Sequence, residues 1–184
     1  MADRSLVHIA FYAALIAALG LIPPVAIPFM AGVPITAQTL GVMLAGVMLG
    51  PVRGGLAVLL FLFLVALGAP FLSGGRGGLG VFQTASVGFL IGWPVGAFVA
   101  GWIMRATGDM NVLLASAISA VIGGIIVVYA FGIAGVSIIA GLPLAQAVVA
   151  SAVYIPGDLI KVAVTALVTQ TVARGLPGAL LSRA

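Results

Sequence analysis

Residues 112–134 read VLLASAISAVIGGIIVVYAFGIA, an apolar stretch without a charged side chain. A helix needs about 20 mostly apolar residues to cross the hydrocarbon core of a bilayer, so this stretch predicts a transmembrane helix. The rest of the chain has the same character, because 64% of the 184 residues are hydrophobic and only 5% are charged. A soluble domain has about 25% charged residues. We therefore predict an all-α integral membrane protein, with one domain over residues 1–184.

Other apolar stretches raise the predicted number of transmembrane helices to about six. The predicted helices cover residues 7–22, 36–49, 55–67, 81–104, 112–134 and 145–173. Proline and glycine separate them, most clearly at Gly50-Pro51 and in the proline-rich residues 23–34. We interpret the first stretch as a retained helix and not as a signal peptide, because prolines follow it where a small-residue cleavage site would stand.

The cations predict the orientation of the chain in the membrane. With six helices and a cytoplasmic N-terminus, the arginines on the cytoplasmic side are Arg4, Arg53, Arg105, Arg174 and Arg183. The exterior loops then carry Arg76 alone, and Lys161 lies within a helix. This distribution agrees with the positive-inside rule, so we expect the N- and C-termini to be cytoplasmic.

The composition argues against several classes of protein. The chain has no cysteine, one histidine and no glutamate, so we expect no metal site, no cofactor and no catalytic set, and hence no enzyme. The cations are scattered singly and form no basic stripe, which does not favour nucleic-acid binding. A G-x-x-x-x-G-K-[ST] loop is absent from the sequence, so this chain cannot by itself bind ATP through a P-loop.

The segment PGDLIK, residues 156–161, contains two charged residues inside an apolar stretch. Asp158 and Lys161 are three positions apart and therefore lie on one face of a helix. Each charge costs about 3 kcal/mol at the centre of a membrane, so it needs a partner or a polar cavity. One interpretation is a ligand site, with Asp158 accepting from N–H groups and Lys161 meeting a carboxylate or carbonyl. The alternative is a mutually neutralising pair that only locks helix packing.

Polar residues on the predicted exterior side are candidates for the same site. Arg76 lies in the glycine-rich residues 73–80, where backbone and guanidinium can approach an anionic group such as a carboxylate. The alternative is a flexible loop with a solvated arginine. Gln38 and Thr39, at the outer end of the second helix, and Gln83, at the start of the fourth, are candidates for further hydrogen bonds to a ligand. The alternative is that these three residues are helix-end residues that meet lipid headgroups.

The aromatic residues within the apolar stretches permit two interpretations. Trp93, Trp102, Tyr129 and Tyr154 are either anchors at the membrane interface or walls of a pocket. Their spacing does not distinguish these roles.

The first predicted helix carries Ala10, Ala14 and Ala18 at four-residue spacing. Small residues at this spacing let another helix approach closely. The approaching helix belongs either to this chain or to a separate protein, and the spacing leaves both open.

Three segments taken together resemble the BioY family. They are ITAQTLGVMLAG at residues 35–46, GGRGGLG at residues 74–80 and PGDLIK at residues 156–161. BioY proteins are the biotin-specific substrate-binding (S) subunits of energy-coupling factor (ECF) transporters, and the similarity covers about residues 10–173. The resemblance implies a six-helix fold with a vitamin pocket open to the exterior, in which Asp158 and Lys161 contact biotin.

The resemblance also implies partners and a location. Residues 74–80 would close the pocket, and the small residues of the first helix would dock on a transmembrane coupling subunit that works with two ATPase subunits. The expected function is high-affinity biotin binding and uptake in the bacterial cytoplasmic membrane. The alternatives are an S subunit for another small vitamin, an ion-coupled transporter that uses Asp158 and Lys161 as a proton relay, and a structural subunit without a ligand.

Overall fold

The fold is that of a computed structural model, which describes residues 2–25 and 33–183. Across these residues, the regular secondary structure is entirely helical. The main helices are α1 (Ala2–Leu19), α2 (Gln38–Leu49), α3 (Pro51–Ala66), α4 (Val87–Ala106), α5 (Val112–Ala140) and α6 (Leu144–Gly175). Two short 3-10 helices, Leu79–Gln83 and Pro177–Ala179, precede α4 and follow α6.

The helices are apolar, and their outward surfaces are apolar as well. By length and composition α4, α5 and α6 are able to cross a membrane, whereas α2, α3 and the Ser5–Leu19 part of α1 are shorter apolar helices. Large apolar side chains such as Phe63, Ile91 and Val149 are exposed. Such a surface suits lipid, in which helices satisfy their own backbone polar groups. The prediction of an all-helical membrane protein with about six helices is confirmed.

One predicted helix start shifts and one predicted helix is irregular, each for an identifiable reason. Helix α4 begins at Val87 and not near residue 81, because Leu79–Gln83 form a 3-10 helix and Thr84 is extended. Within α6, the residues Ala152–Tyr154 tighten into a 3-10 turn just before Pro156. Proline has no N–H and its ring clashes with the carbonyl four residues earlier, so a regular α-helix cannot continue through this point.

Helix α4 is the centre of the bundle and packs against α2, α3 and α5. Glycines permit its close approach to α5, where Gly88 meets Gly135 and Gly96 meets Gly123. A Cβ atom added at any of these four positions would overlap the facing backbone. Small residues at helix crossings supply packing between membrane helices, where the surrounding lipid removes the hydrophobic driving force.

The arginines separate between the two ends of the bundle. At one end Arg53 donates from Nε to Ser5 Oγ at 3.0 Å, and Arg105 lies beside Gly50 in the turn between α2 and α3. The C-terminal tail returns to this end, where Arg183 donates to the carbonyls of Thr107 and Met110. Because successive helices alternate in direction, the loop with Arg76 between α3 and α4 lies at the opposite end.

Candidate functional site

Asp158 and Lys161 form an ion pair within the helix bundle. The Nζ atom of Lys161 lies 2.7 Å from Oδ1 of Asp158, and their side chains are only 14% and 6% exposed. Such a pair is stable away from water only if further hydrogen bonds satisfy the remaining lone pairs and protons. The surroundings of the two side chains therefore decide what the pair can do.

Two neighbouring helices supply the missing hydrogen bonds. Thr39 of α2 accepts from Lys161 Nζ at 2.7 Å and donates to Asp158 Oδ1 at 3.3 Å. Tyr129 of α5 donates from its hydroxyl to Asp158 Oδ2 at 2.7 Å. Both carboxylate oxygens are thus held by protein donors, and the four side chains join α2, α5 and α6 at one point.

Irregularities in α5 and α6 position this cluster. The last turn before Val128 and Tyr129 belongs to a π-helical segment, Ala120–Val127, whose wider turns change the direction in which the following residues point. In α6 the 3-10 turn at Ala152–Tyr154 restarts the helix at Ile155, which places Asp158 in its first turn. A carboxylate is favoured there by the partial positive charge of the helix N-terminus.

Aromatic rings surround the polar cluster. Phe89 of α4 makes edge-to-face contacts with Tyr129 and Tyr154, with ring centroids 6.0 and 5.8 Å apart. The hydroxyl of Tyr154 donates to the Val33 carbonyl at 2.8 Å. Tyr129, Tyr154 and Trp93 are therefore walls of a cavity and not interfacial anchors, whereas Trp102 is 58% exposed on the outer surface.

These elements enclose one cavity that contains the polar cluster and ends at the Arg76 loop. Its walls are mostly apolar and aromatic, with a few polar groups that converge on Asp158, as is common for small-ligand sites. The lining residues are Val33, Pro34, Ile35, Thr36, Gln38, Thr39, Leu72, Arg76, Ser86, Phe89, Leu90, Trp93, Val128, Tyr129, Tyr154, Asp158 and Lys161.

Five of the six residues predicted to bind a ligand line the cavity, namely Asp158, Lys161, Thr39, Gln38 and Arg76, and they have different roles in it. Thr39 belongs to the Asp158–Lys161 cluster. Gln38 is completely buried, and its amide donates to the carbonyls of Ile16 and Phe71 and accepts from the Ser73 N–H. The first role of Gln38 is therefore to tie α2 to the end of α1 and to the loop after α3.

Arg76 sits on a short hairpin that brings it to the cavity. Leu72 and Arg76 exchange two backbone hydrogen bonds of 3.0 and 3.1 Å, and Gly74 and Gly75 turn the chain between them with φ of 81° and 71°. Such positive φ angles are readily adopted only by glycine. Arg76 Nε donates to the Ser73 carbonyl at 3.3 Å. Partial burial lowers the pKa of the Arg76 guanidinium below its ordinary value, because a charge loses hydration there.

The remaining predicted residues lie elsewhere. Gln83 is exposed in the short helix before α4 and does not line the cavity, so its contact with a ligand stays a prediction. Ala10, Ala14 and Ala18 are exposed along one side of α1, while Ala13, on another side of the helix, is buried against the bundle.

The polar groups of the cavity are suited to binding a ligand through hydrogen bonds. The Asp158 carboxylate can accept from ligand N–H groups, while the Lys161 ammonium can donate to a carbonyl. Within residues 2–25 and 33–183, no group of three His, Cys, Asp or Glu side chains is arranged to hold a metal ion.

The sequence indicated the charged pair directly, but it did not indicate the positions of Phe89, Trp93, Tyr129 and Tyr154. An aromatic residue in an apolar helix has no sequence pattern that distinguishes a pocket wall from ordinary packing.

Known proteins are similar to this chain in sequence and in fold. The family model of the BioY family matches residues 1–178. The chain is 50% identical to the "Biotin transporter BioY" of Rhizobium etli, over 96% of this chain and 97% of the relative. It is also 50% identical to the protein of that name from Rhodobacter capsulatus, over 98% of this chain and 99% of the relative.

A solved structure has the same arrangement of helices. It is the crystal structure of the S-component for biotin from an ECF-type ABC transporter, and its TM-score against this chain is 0.88. The sequence identity is 32%, and the match covers 94% of this chain and 92% of the solved one.

Replacing Gln38 by methionine, which has a similar size, should lower stability. The change removes the partner of the Phe71 carbonyl and of the Ser73 N–H, whereas the Ile16 carbonyl still accepts from the Gly20 N–H. Each buried polar group left unpaired costs about 1–3 kcal/mol. The thermal unfolding midpoint of the ligand-free protein in detergent should fall by about 4 °C or more. The matched control, Gln83→Met at an exposed glutamine, should leave the midpoint unchanged. An unchanged midpoint in Gln38→Met, together with weakened biotin binding, would instead make Gln38 a ligand contact.

Proposed function

Because the chain belongs to the BioY family, we propose that it binds biotin with high affinity and takes part in its uptake as the substrate-binding subunit of an ECF importer. The observation that carries this proposal is the Asp158–Lys161 pair, with Thr39 and Tyr129, inside a cavity that is otherwise apolar and aromatic. The similarity to biotin transporters of the BioY family and to the S-component for biotin of an ECF-type ABC transporter supports it.

The chemistry of biotin is complementary to the cavity. Its ureido group carries two N–H donors and a carbonyl, its fused thioether ring is apolar, and its tail ends in a carboxylate. Asp158 would accept from the ureido N–H groups, and Lys161 would donate to the carbonyl. The aromatic walls would cover the ring system, and Arg76 at the mouth would pair with the carboxylate. Each charged or polar part of the ligand then meets a group of the opposite kind.

The geometry also suggests an order of importance among these contacts. Asp158 and Lys161 are held by three helices and need little rearrangement to receive a ligand, which lowers the entropic cost of binding. Arg76 is on a hairpin loop and is only partly buried, so its contact with the carboxylate is screened by water. We expect Asp158 to contribute more to affinity than Arg76.

We propose that the energy for uptake comes from other proteins, and helix α1 offers a surface for one of them. We propose that a transmembrane coupling subunit docks along Ala10, Ala14 and Ala18, and that two ATPase subunits act through it. The exposure of these small side chains on α1 supports the proposal, since a second helix can approach such a surface closely.

We further propose that the protein lies in the bacterial cytoplasmic membrane with both termini in the cytoplasm. The gathering of Arg53, Arg105 and Arg183 at one end of the bundle, opposite Arg76, supports this orientation, since cytoplasmic segments are enriched in arginine and lysine. The cavity would then open through the Arg76 loop to the exterior.

The binding proposal is tested by titrating purified protein in detergent with biotin, with thiamine and riboflavin as controls for selectivity. Wild-type protein should bind biotin saturably, and Asp158→Ala should weaken binding by about 2 kcal/mol, or about 30-fold in Kd, because the ureido donors lose a charged acceptor. The matched control is Leu159→Ala, on the outward face of the same turn, which should bind like wild type. Unchanged affinity in folded Asp158→Ala protein would remove Asp158 from the site.

The partner surface is tested by replacing Ala14 and Ala18 together with leucine. The bulkier side chains should prevent close approach of another helix, so the coupling subunit and ATPases should no longer co-purify with this chain. Biotin binding by the isolated chain should persist. Leucine at Ala163, an exposed alanine on α6, is the control and should leave co-purification intact. Lost biotin binding with normal co-purification would contradict the docking role.

The orientation is tested with single cysteines, because the natural chain contains none. Leu79→Cys lies near the Arg76 loop and Leu176→Cys lies after α6, and both positions are exposed. A membrane-impermeant maleimide should label Leu79→Cys in intact cells and Leu176→Cys only after the membrane is opened. The reverse pattern would overturn the proposed topology.

A further inference from the structure

Trp93 occupies a distinctive place in the cavity. It lies six residues into α4 from Val87, which is about 9 Å along the helix axis from the end near the Arg76 loop. Its side chain is 5% exposed, and its ring packs against Phe61 at a centroid distance of 6.2 Å. The indole lines the cavity one turn deeper than Phe89, so it is a wall residue toward the floor.

The indole N–H of Trp93 is a buried donor without a hydrogen-bond partner among residues 2–25 and 33–183. Buried tryptophan N–H groups usually have a hydrogen-bond partner, because an unpaired donor loses its hydrogen bonds to water and gains none in the protein. The contrast with its neighbours is informative. Apart from the half-buried Thr36, the other polar side chains that line the cavity hydrogen-bond within the protein, namely Gln38, Thr39, Arg76, Ser86, Tyr129, Tyr154, Asp158 and Lys161.

We propose that Trp93 donates its indole N–H to an uncharged acceptor of the bound ligand and thereby contributes to specificity. This inference rests on the proposed function. The acceptor is uncharged because Trp93 belongs to the same buried apolar cluster as Leu90 and Val128, whereas Lys161 is paired with Asp158 and Thr39. In biotin the uncharged acceptors are the ureido carbonyl oxygen and the ring sulfur, and sulfur is the weaker of the two.

Intrinsic fluorescence tests whether Trp93 meets the ligand. The chain has two tryptophans, and the second, Trp102, is exposed on the outer surface and away from the cavity. In the matched variant Trp102→Phe all tryptophan emission comes from Trp93, and saturating biotin should change its intensity or wavelength. In Trp93→Phe the remaining emission, from Trp102, should not respond to biotin. An unresponsive Trp93 in protein that binds biotin would overturn the inference.

A substitution that removes only the N–H tests the hydrogen bond itself. In the Trp102→Phe variant, the remaining tryptophan can be replaced biosynthetically by benzothienylalanine, which exchanges the ring N–H for sulfur and keeps the ring shape. The Kd for biotin should rise about threefold to tenfold, as expected for the loss of one neutral hydrogen bond. An unchanged Kd would overturn the inference.

A biotin analogue identifies the acceptor atom. Desthiobiotin lacks the ring sulfur and keeps the ureido group and the carboxylate. If the sulfur is the acceptor, the N–H-free protein loses affinity for biotin alone, whereas a carbonyl acceptor makes it lose affinity for both. Failure of folded wild-type protein to bind biotin would overturn the proposed function and this inference together. Normal wild-type binding with no effect of removing the N–H would overturn the inference alone.

Discussion

An ammonium group and a carboxylate group lie 2.7 Å apart among apolar helices, and much of the surrounding structure supplies partners for them. Removing these charges from water carries a large desolvation cost, which their attraction offsets only when the remaining hydrogen-bonding positions are filled. Thr39 and Tyr129 fill them from two other helices. The pair therefore constrains how α2, α5 and α6 are placed relative to one another.

The backbone is shaped so that these side chains can meet. Gly96 and Gly123 let α4 and α5 touch without intervening side chains, and the π-helical turns that contain Gly123 precede Tyr129. Pro156 forces a tight turn in α6 and restarts the helix just before Asp158. Each irregularity costs some regular helical geometry, and this is the pattern expected where function overrides ideal local structure.

The end of the cavity near Arg76 depends on polar contacts of a different kind. Gln38 holds the end of α1 and the loop after α3 through backbone groups. The same loop then turns through two glycines and brings Arg76 to the mouth of the cavity. A residue that lines a ligand cavity can thus stabilise the frame of the site. Trp93 also lines the cavity, and its buried indole N–H has no hydrogen-bond partner among the described residues, so it is the better candidate for direct contact.

The sequence by itself determined the class of fold and the centre of the site. Apolar stretches of helical length have few stable alternatives to membrane helices, because lipid offers no partner for unpaired backbone groups. Two charges three residues apart within such a stretch likewise imply a polar contact, because burying them alone is too costly. For these reasons the all-helical fold and the proximity of Asp158 and Lys161 followed from composition and spacing.

Only the tertiary structure decided which other residues reach the pair. Tyr129 lies 29 positions from Asp158 along the chain and Thr39 lies 119 positions away, so no local pattern connects them. The roles of Gln38, Trp93 and Trp102 depended on which face of a helix turned inward. In an apolar helix all faces have similar composition, so it is the close packing of glycine-lined crossings that decides which side chains line the cavity and which face the lipid.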